Sequence, residues 1–464
     1  MNAPDNPPRD PRSDRLGTAP LGPLMVRMSI PGMVGMIIMS VHNIVDTLWV
    51  SGLPDGTEAV AALTVMFPVQ MIAGAVGMGI AMGLTSLVSR RLGEDRRRQA
   101  QRGAGNGIVL AAGFGIVLTL LAITASEPAV KLFGATPEIV DRAAGYLRYV
   151  GLAFPFFMVG LALDGLYRGG GNIITPMCLM GLSALLNAGL DPLLIYGLGP
   201  FPRLALDGAA IATAISQVTA ASVSLVYLYS GRAGFHLIRS DFRPDLAIIK
   251  DIGQVGAPAT AMNSLRSVVA SVFNWVLGGF GPAAIAAHGL SLRVMMLVIS
   301  CLGGGVHQAL MPIVGYNFGG KNYRRMWDAY KIAAVWTSAG GLLIGGAVIW
   351  YAEPILAPFA KEPELLELSV ISLRLKMSTF FLVEPQMMAL FALEGMGFGG
   401  RAMVLTLSRG VILVIPALFL LSAWLGVTGA FMAQPVADVL SLFIAGAVLW
   451  RVYRKYPPQV SPLP

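Results

Sequence analysis

Asp46 stands in the stretch HNIVDTLWV (42–50), inside an apolar run that begins near Leu24, and His42 lies one helical turn before it. In another apolar run Asn187 and Asp191 are four residues apart, so a helix there sets both on one face. Pro192 follows Asp191 and has no N–H, which leaves the carbonyl of Ala188 without its helical donor; Pro31 does the same for the carbonyl of Arg27. Two acids, an amide and freed carbonyl oxygens are what a proton or a hard cation wants, and oxygen ligands suit Na⁺ by the hardness argument that holds for Ca²⁺ and Mg²⁺. A plainer reading of Asp46 is that its run ends at Val45 and the carboxylate meets water. Asp164, in a third apolar run, could instead pair with Arg168 one turn on.

What must position these groups is a set of membrane helices. The chain has 464 residues, 55% of them hydrophobic and only 12% charged, against about 25% charged in soluble domains. Spanning takes about 20 apolar residues, and twelve such runs occur: 24–49, 59–88, 104–126, 143–166, 174–198, 207–229, 251–279, 284–314, 330–352, 367–393, 403–425 and 427–450. They are too long for barrel strands and do not alternate, so they read as helices. Residues 1–23 are Pro-rich and charged and are expected to form a disordered cytoplasmic tail; 24–229 forms the first lobe, 230–250 a cytoplasmic linker, 251–450 the second lobe and 451–464 a second cytoplasmic tail.

Loop charge sets the orientation. The connection 90–103 carries six arginines, and 230–250, the stretch around Lys321, Arg324 and Arg325, and the C-terminal tail are basic too. The alternate connections are not: 353–367 holds one lysine against four glutamates. Both termini are therefore expected on the cytoplasmic side. The net charge of +8 is absorbed by this pattern and implies no nucleic-acid partner.

The chain repeats itself at about 226 residues. LGEDRRR (92–98) matches FGGKNYRR (318–325), AVAALTVMFP (59–68) matches AIAAHGLSLR (284–293), and Pro31 matches Pro258. Six spans return the chain to its starting side, so the halves share one orientation, as in transporters built from parallel repeats. The chemistry is not repeated: the positions opposite Asp46 and Asp191 fall near Phe273 and Ala417. In the second half the polar residues inside spans are read as Asn263, Arg266, Asn274, His288, His307, Gln308 and Glu384, with Arg266 the single deep arginine and Glu384 its possible partner. GYNFGGKN (315–322) fails as a P-loop because Asn322 replaces the hydroxyl and the flanks are apolar helices. Cys178 and Cys301 are far apart with no CxxC, and no enzyme signature, metal cluster or cofactor motif is present.

Taken together, P-G-x(14)-D-x-x-W-V-S-G-L (31–53), the basic L-G-E-D loop, R-G-G-G-N (168–172) and N-A-G-L-D-P-L-L-I-Y-G-L-G (187–199) resemble the multidrug and toxic compound extrusion (MATE) transporters, over about 24–450 and closest to the prokaryotic DinF-type branch. The resemblance implies an all-α membrane protein: twelve helices in two pseudo-symmetric six-helix lobes, V-shaped. It implies no enzyme and no cofactor. The implied activity is export of amphiphilic, cationic drugs by alternating access, driven by inward H⁺ or Na⁺, from a monomer in a bacterial or archaeal inner membrane with no obligatory protein partner. Carried over residue by residue, the cation site falls on Asp46, Asn187, Asp191 and Thr213, with Tyr146, Asp164 and His42 around it; Asp164 replaces an asparagine of the family pattern. Acids of the NorM-type branch fall near Arg266 and beside Glu384. The alternative is a lipid-linked oligosaccharide flippase of the same superfamily, which needs several cavity arginines to hold a pyrophosphate.

Overall fold

The computed structural model describes residues 10–53, 56–133, 135–360 and 362–458. The described chain is helical throughout: α1 (Pro11–Thr18), α2 (Leu21–Ser51), α3 (Gly56–Gly93), α4 (Arg97–Thr124), α5 (Ser126–Leu132), α6 (Val140–Leu152), α7 (Phe154–Gly169), α8 (Ile174–Tyr196) and α9 (Ala205–Tyr229) make the first half. The second half holds α10 (Leu246–Gly278), α11 (Pro282–Gly319), α12 (Tyr323–Trp350), α13 (Ala352–Leu356), α14 (Pro363–Ser378), α15 (Phe380–Gly395), α16 (Gly399–Leu407) and α17 (Val414–Lys455).

Among the described residues eight helices are long and apolar enough to cross a membrane, or nine when the bent pair α6–α7, 51° apart, is one span. The run Gly399–Lys455 is 57 residues long, several times what one crossing takes. Gly426 interrupts it at φ 63°, a conformation that glycine adopts without penalty, so it divides into two crossings. The pair α14–α15 is broken at Thr379 just as α6–α7 is broken at Ala153, and α10 is 33 residues long. The twelve expected runs thus each fall on a helix or helix pair. The surface supports a lipid setting: Leu185, Leu343, Phe443, Trp275, Trp350 and Trp424 are all more than 70% exposed, unfavourable in water but natural for lipid-facing side chains and interfacial tryptophans.

Helix boundaries repeat with the period read from sequence. The C-terminal ends of α3, α6 and α7 at 93, 152 and 169 correspond to those of α11, α14 and α15 at 319, 378 and 395, each 226 residues later. The chain divides into two compact units: unit 1 comprises the N-terminal segment through Asp14 plus Val34–Thr260, and unit 2 comprises Arg15–Met33 plus Ala261–Pro464. The division differs from the expected lobes at both proline-bearing helices. The first parts of α2 and of α10, which hold Pro31 and Pro258, belong to the other unit from the rest of the helix. Close contacts explain this: a Cβ on Gly305 of α11 would lie 2.1 Å from the carbonyl of Ser29, and one on Gly83 of α3 would lie 2.3 Å from that of Ile252.

One expectation about the terminal segment is corrected, and the linker takes a definite place. Residues 10–23 are not a loose tail: α1 buries Leu16, whose carbonyl accepts from Asn317 Nδ2 at 3.0 Å. The linker 230–250 is bonded into unit 1. Asp241, fully buried, pairs with Arg98 at 2.7 Å, and Asn106 donates to the carbonyls of Asp241 and Arg243. Acidic residues among the basic ones thus tie this connection to the helix ends. Asn322, which spoiled the P-loop pattern, caps α12 by accepting from the Arg325 backbone N–H at 3.2 Å.

Candidate functional site

Unit 1 gathers most of the expected polar residues at one place. His42 and Asp46 come from α2, Tyr146 from α6, Asn187 and Asp191 from α8, and Thr213 from α9. The local sequence explains the approach of α8 and α9: a Cβ on Gly208 would lie 2.5 Å from the carbonyl of Leu194, so glycine lets the two backbones meet. Once they meet, Asn187 Nδ2 reaches both Asp191 Oδ1 and Thr213 Oγ1 at 3.3 Å. The side chains of Asp46 and Asp191 face each other within interacting range. Tyr146, 2% exposed, lies beside the side chains of Gln70 and Thr213 and in the field of both acids. His42 is the other charge-bearing neighbour of Asp46. Asp191 is fully buried and Asn187 1% exposed.

Two features decide the chemistry. Two carboxyl groups brought together in a buried place repel when both are ionised, so the pair favours a proton or a small cation beside them. Second, Asp46 Oδ1, Asp191 Oδ2 and Asn187 Oδ1 are buried without a hydrogen-bond partner. Orphaned buried oxygens are costly, and three on neighbouring side chains are an oxygen-rich receptor for a small cation or a second proton. Asp46 is half-buried, with its Oδ1 shielded from solvent.

Asp164 is not in this cluster. It makes a salt bridge to Arg168 at 2.8 Å, one turn along α7, as the local spacing allowed. Gln70 of α3 is the member that sequence reading missed; its signal was an amide in the middle of VMFPVQMI.

Unit 2 is wired differently from expectation. Arg266 does not pair with Glu384. Its charged neighbours are Arg409 and Glu394, while Glu384, 1% exposed, faces His307 at 3.5 Å. The physical reason is reach: Glu384 and Glu394 both sit on α15, ten residues or about 15 Å apart. Arg266 is also not the single deep arginine. Arg293 on α11 and Arg409 after α16 lie inside membrane-length helical runs as well, and Lys376 on α14 is a further buried basic group. Arg409 bonds Asp438 at 2.6 Å, and Asp438 also accepts from Gln434 and Thr379. A count of basic as well as acidic residues inside the apolar runs reveals these groups.

The model of the MatE family matches residues 31–193 and 258–420, two segments at the spacing of the internal repeat and covering most of the chain. The chain belongs to the MatE family. An "FAD transporter" of Shewanella oneidensis is 28% identical over 92% of this chain and 94% of its own. The "Multidrug export protein MepA" of Staphylococcus haemolyticus is 25% identical over 92% of both. Among solved structures, a MATE protein in a bent conformation superposes with TM-score 0.88 at 26% identity, covering 96% of this chain and 98% of the other. A MOP superfamily transporter from Pyrococcus furiosus, described by the reverse polarity of its binding pocket, gives 0.86 at 25% identity, covering 98% and 100%. As a MatE protein the chain is a multi-pass membrane transporter of small molecules, and not an enzyme.

Proposed function

We propose that this MatE protein is a cation-coupled antiporter that exports amphiphilic, cationic compounds by alternating access, with H⁺ or Na⁺ exchanged at Asp46, Asn187, Asp191 and Thr213. The observation that carries the reading is the close acid pair and the three orphaned oxygens on Asp46, Asp191 and Asn187. Loading a cation there neutralises the acids and removes their attraction for a cationic substrate, so substrate and coupling ion compete for one charge. Moving one charge inward through 100 mV gains about 2.3 kcal/mol, and a tenfold proton gradient adds about 1.4 kcal/mol. Pro31, in α2 with Asp46, frees the backbone where a bend would change access to the site. The protein is placed in the cell membrane with both termini cytoplasmic, acting as a monomer without a protein partner. Tyr146 and His42 line the site, and Asp164 stands outside it, held by Arg168.

The test is efflux of ethidium from proteoliposomes with ΔpH and ΔNa⁺ imposed separately. One gradient is expected to drive efflux, and Asp46→Asn to abolish the response; an Asp46→Asn protein that still couples overturns the reading.

A second reading concerns the sign of the substrate. Arg266 and Arg293, on α10 and α11, are exposed although they lie in membrane-length helices. Exposed guanidinium groups at such depth belong beside water or an anion, and arginine suits phosphate bidentately. On this reading the exported compound is a phosphate-bearing one, in line with the relative named an FAD transporter, and the flippase alternative rests on the same residues. Flux of a flavin dinucleotide that is lost in Arg266→Gln, with no ethidium flux, favours it.

A further inference from the structure

The repeat places a second buried polar cluster at the unit 2 counterpart of the acid site. Phe273 of α10 corresponds to Asp46 by the 227-residue offset of the two matched family segments. Ser372 of α14 corresponds to Tyr146 by the 226-residue offset of the helix ends. Phe273 stacks on His288 of α11, with centroids 4.8 Å apart. Lys376, on the same face of α14 as Ser372, is 3% exposed. Its Nζ is 3.1 Å from His288 Nδ1 and 3.4 Å from the His288 carbonyl, and it also reaches Ser291 Oγ. Ser291 and Ser372 are hydrogen-bonded at 2.8 Å. Ser369, one turn nearer the start of α14, is fully buried with an unpartnered hydroxyl.

Among the described residues Lys376 makes its polar contacts with His288 and Ser291 and forms no ion pair with a carboxylate. Glu384 of α15 faces His307; Asp438 of α17 is committed to Arg409, Gln434 and Thr379; and Arg374 of α14 donates to the Ile349 carbonyl. Glu353 of α13, Glu364 and Glu367 of α14, Lys331 of α12 and Arg293 of α11 are exposed, and Asp328 lies in the first turns of α12, far along that helix from its α14-proximal end. The ammonium thus holds its three N–H groups on neutral acceptors and has no donor left for an anion. An ammonium without a counter-charge in such a place is costly, and it is relieved by passing a proton out along the Ser291–Ser372 hydroxyls, which leaves a neutral amine beside His288 Nδ1 able to take a proton up again.

We propose that Lys376 and His288 form a proton-binding site of unit 2, loaded through Ser291 and Ser372, so that the two units use opposite polarity. A proton removes a charge at Asp46–Asp191 and adds one at Lys376–His288. The step is a bare proton transfer, with lone pairs on Nζ or Nδ1 receiving the proton. It rests on the antiport reading and specifies H⁺ as one coupling ion.

The experiment is static-head accumulation of ethidium in proteoliposomes of the full chain across one pH unit. Each coupled proton then supports about a tenfold concentration ratio. Lys376→Met is expected to lower the ratio about tenfold while leaving ethidium binding intact, and Lys376→Arg, which keeps its charge permanently, to lower it equally. His288→Phe gives a third measure should the lysine variants fail to fold. An unchanged ratio in any variant that folds overturns the proposal and leaves export standing. A wild-type protein driven by ΔNa⁺ alone also overturns it, whereas absence of ethidium transport under either gradient overturns the antiport reading itself.

Discussion

The acids Asp46 and Asp191 in unit 1 are of like sign and drawn together, whereas Asp438 and Arg409 in unit 2 are of opposite sign and paired off. Asp46 and Asp191 face each other and leave two carboxyl oxygens unmet. Asp438 and Arg409 satisfy each other at 2.6 Å. Like charges in low dielectric need an exchangeable positive ion to coexist, and that makes a site. Opposite charges need nothing further, and that makes a brace. Lys376 is the exception in unit 2, because its partners are neutral. The same fold, repeated at 226 residues, can thus carry a working site in one half and a structural ion pair in the other.

The largest effect should come from breaking the brace. Asp438→Ala leaves Arg409 without its acid and Thr379 and Gln434 without an acceptor. Loss of one partner of a buried pair costs about 3–5 kcal/mol, so a clear fall in melting temperature in detergent is expected. Asp191→Asn, in the other unit, should leave the melting temperature nearly unchanged, because it removes like-charge repulsion. Its cost falls on transport: losing one coupled proton at 100 mV and one pH unit lowers accumulation roughly 500-fold. If Asp191→Asn unfolds the protein and Asp438→Ala does not, the contrast between site and brace is wrong.

A smaller effect tests whether the repeat extends to packing. Gly169 and Gly395 end α7 and α15 at the same point of the repeat. A Cβ on Gly169 would meet the Thr85 carbonyl at 3.0 Å, and one on Gly395 the Met311 carbonyl at 2.6 Å. Both are backbone atoms that cannot rotate away. Overpacking of this kind costs about 1–3 kcal/mol, and Gly395→Ala should sit at the upper end and Gly169→Ala at the lower. Equal melting temperatures would show that the two interfaces yield alike.

Much of the fold was legible because membrane helices announce themselves by length and hydropathy, and because loop arginines and a repeat organise them. The acid cluster was legible for a related reason: Asp46 and Asp191 have no business in apolar runs unless something binds there. Less could be read where position depends on tertiary reach. Nothing in the sequence distinguishes Glu384 from Glu394 as the neighbour of Arg266, since both lie on α15 and only packing decides which faces it. Lys376 and Arg409 are visible in the sequence, yet a search for acids passes over them. The helical order of residues 10–23 depends on Leu16 meeting Asn317, about 300 positions away, and no local pattern reports such a contact.

Asp164 supplies the smallest prediction and the sharpest test of where the unit 1 site ends. It is an acid in a membrane helix, as Asp46 and Asp191 are, and similarity alone would place it with them. Its two oxygens are instead within 2.9 Å of the Arg168 guanidinium, and its side chain is 22% exposed. A partly exposed i,i+4 pair is worth about 0.3–0.5 kcal/mol. Asp164→Asn should therefore change the melting temperature by no more than that amount implies and leave the response to ΔpH and ΔNa⁺ as in the wild type. A change in ion stoichiometry would mean that Asp164 exchanges its arginine for the cation during the cycle, and the boundary of the site would then extend along α7.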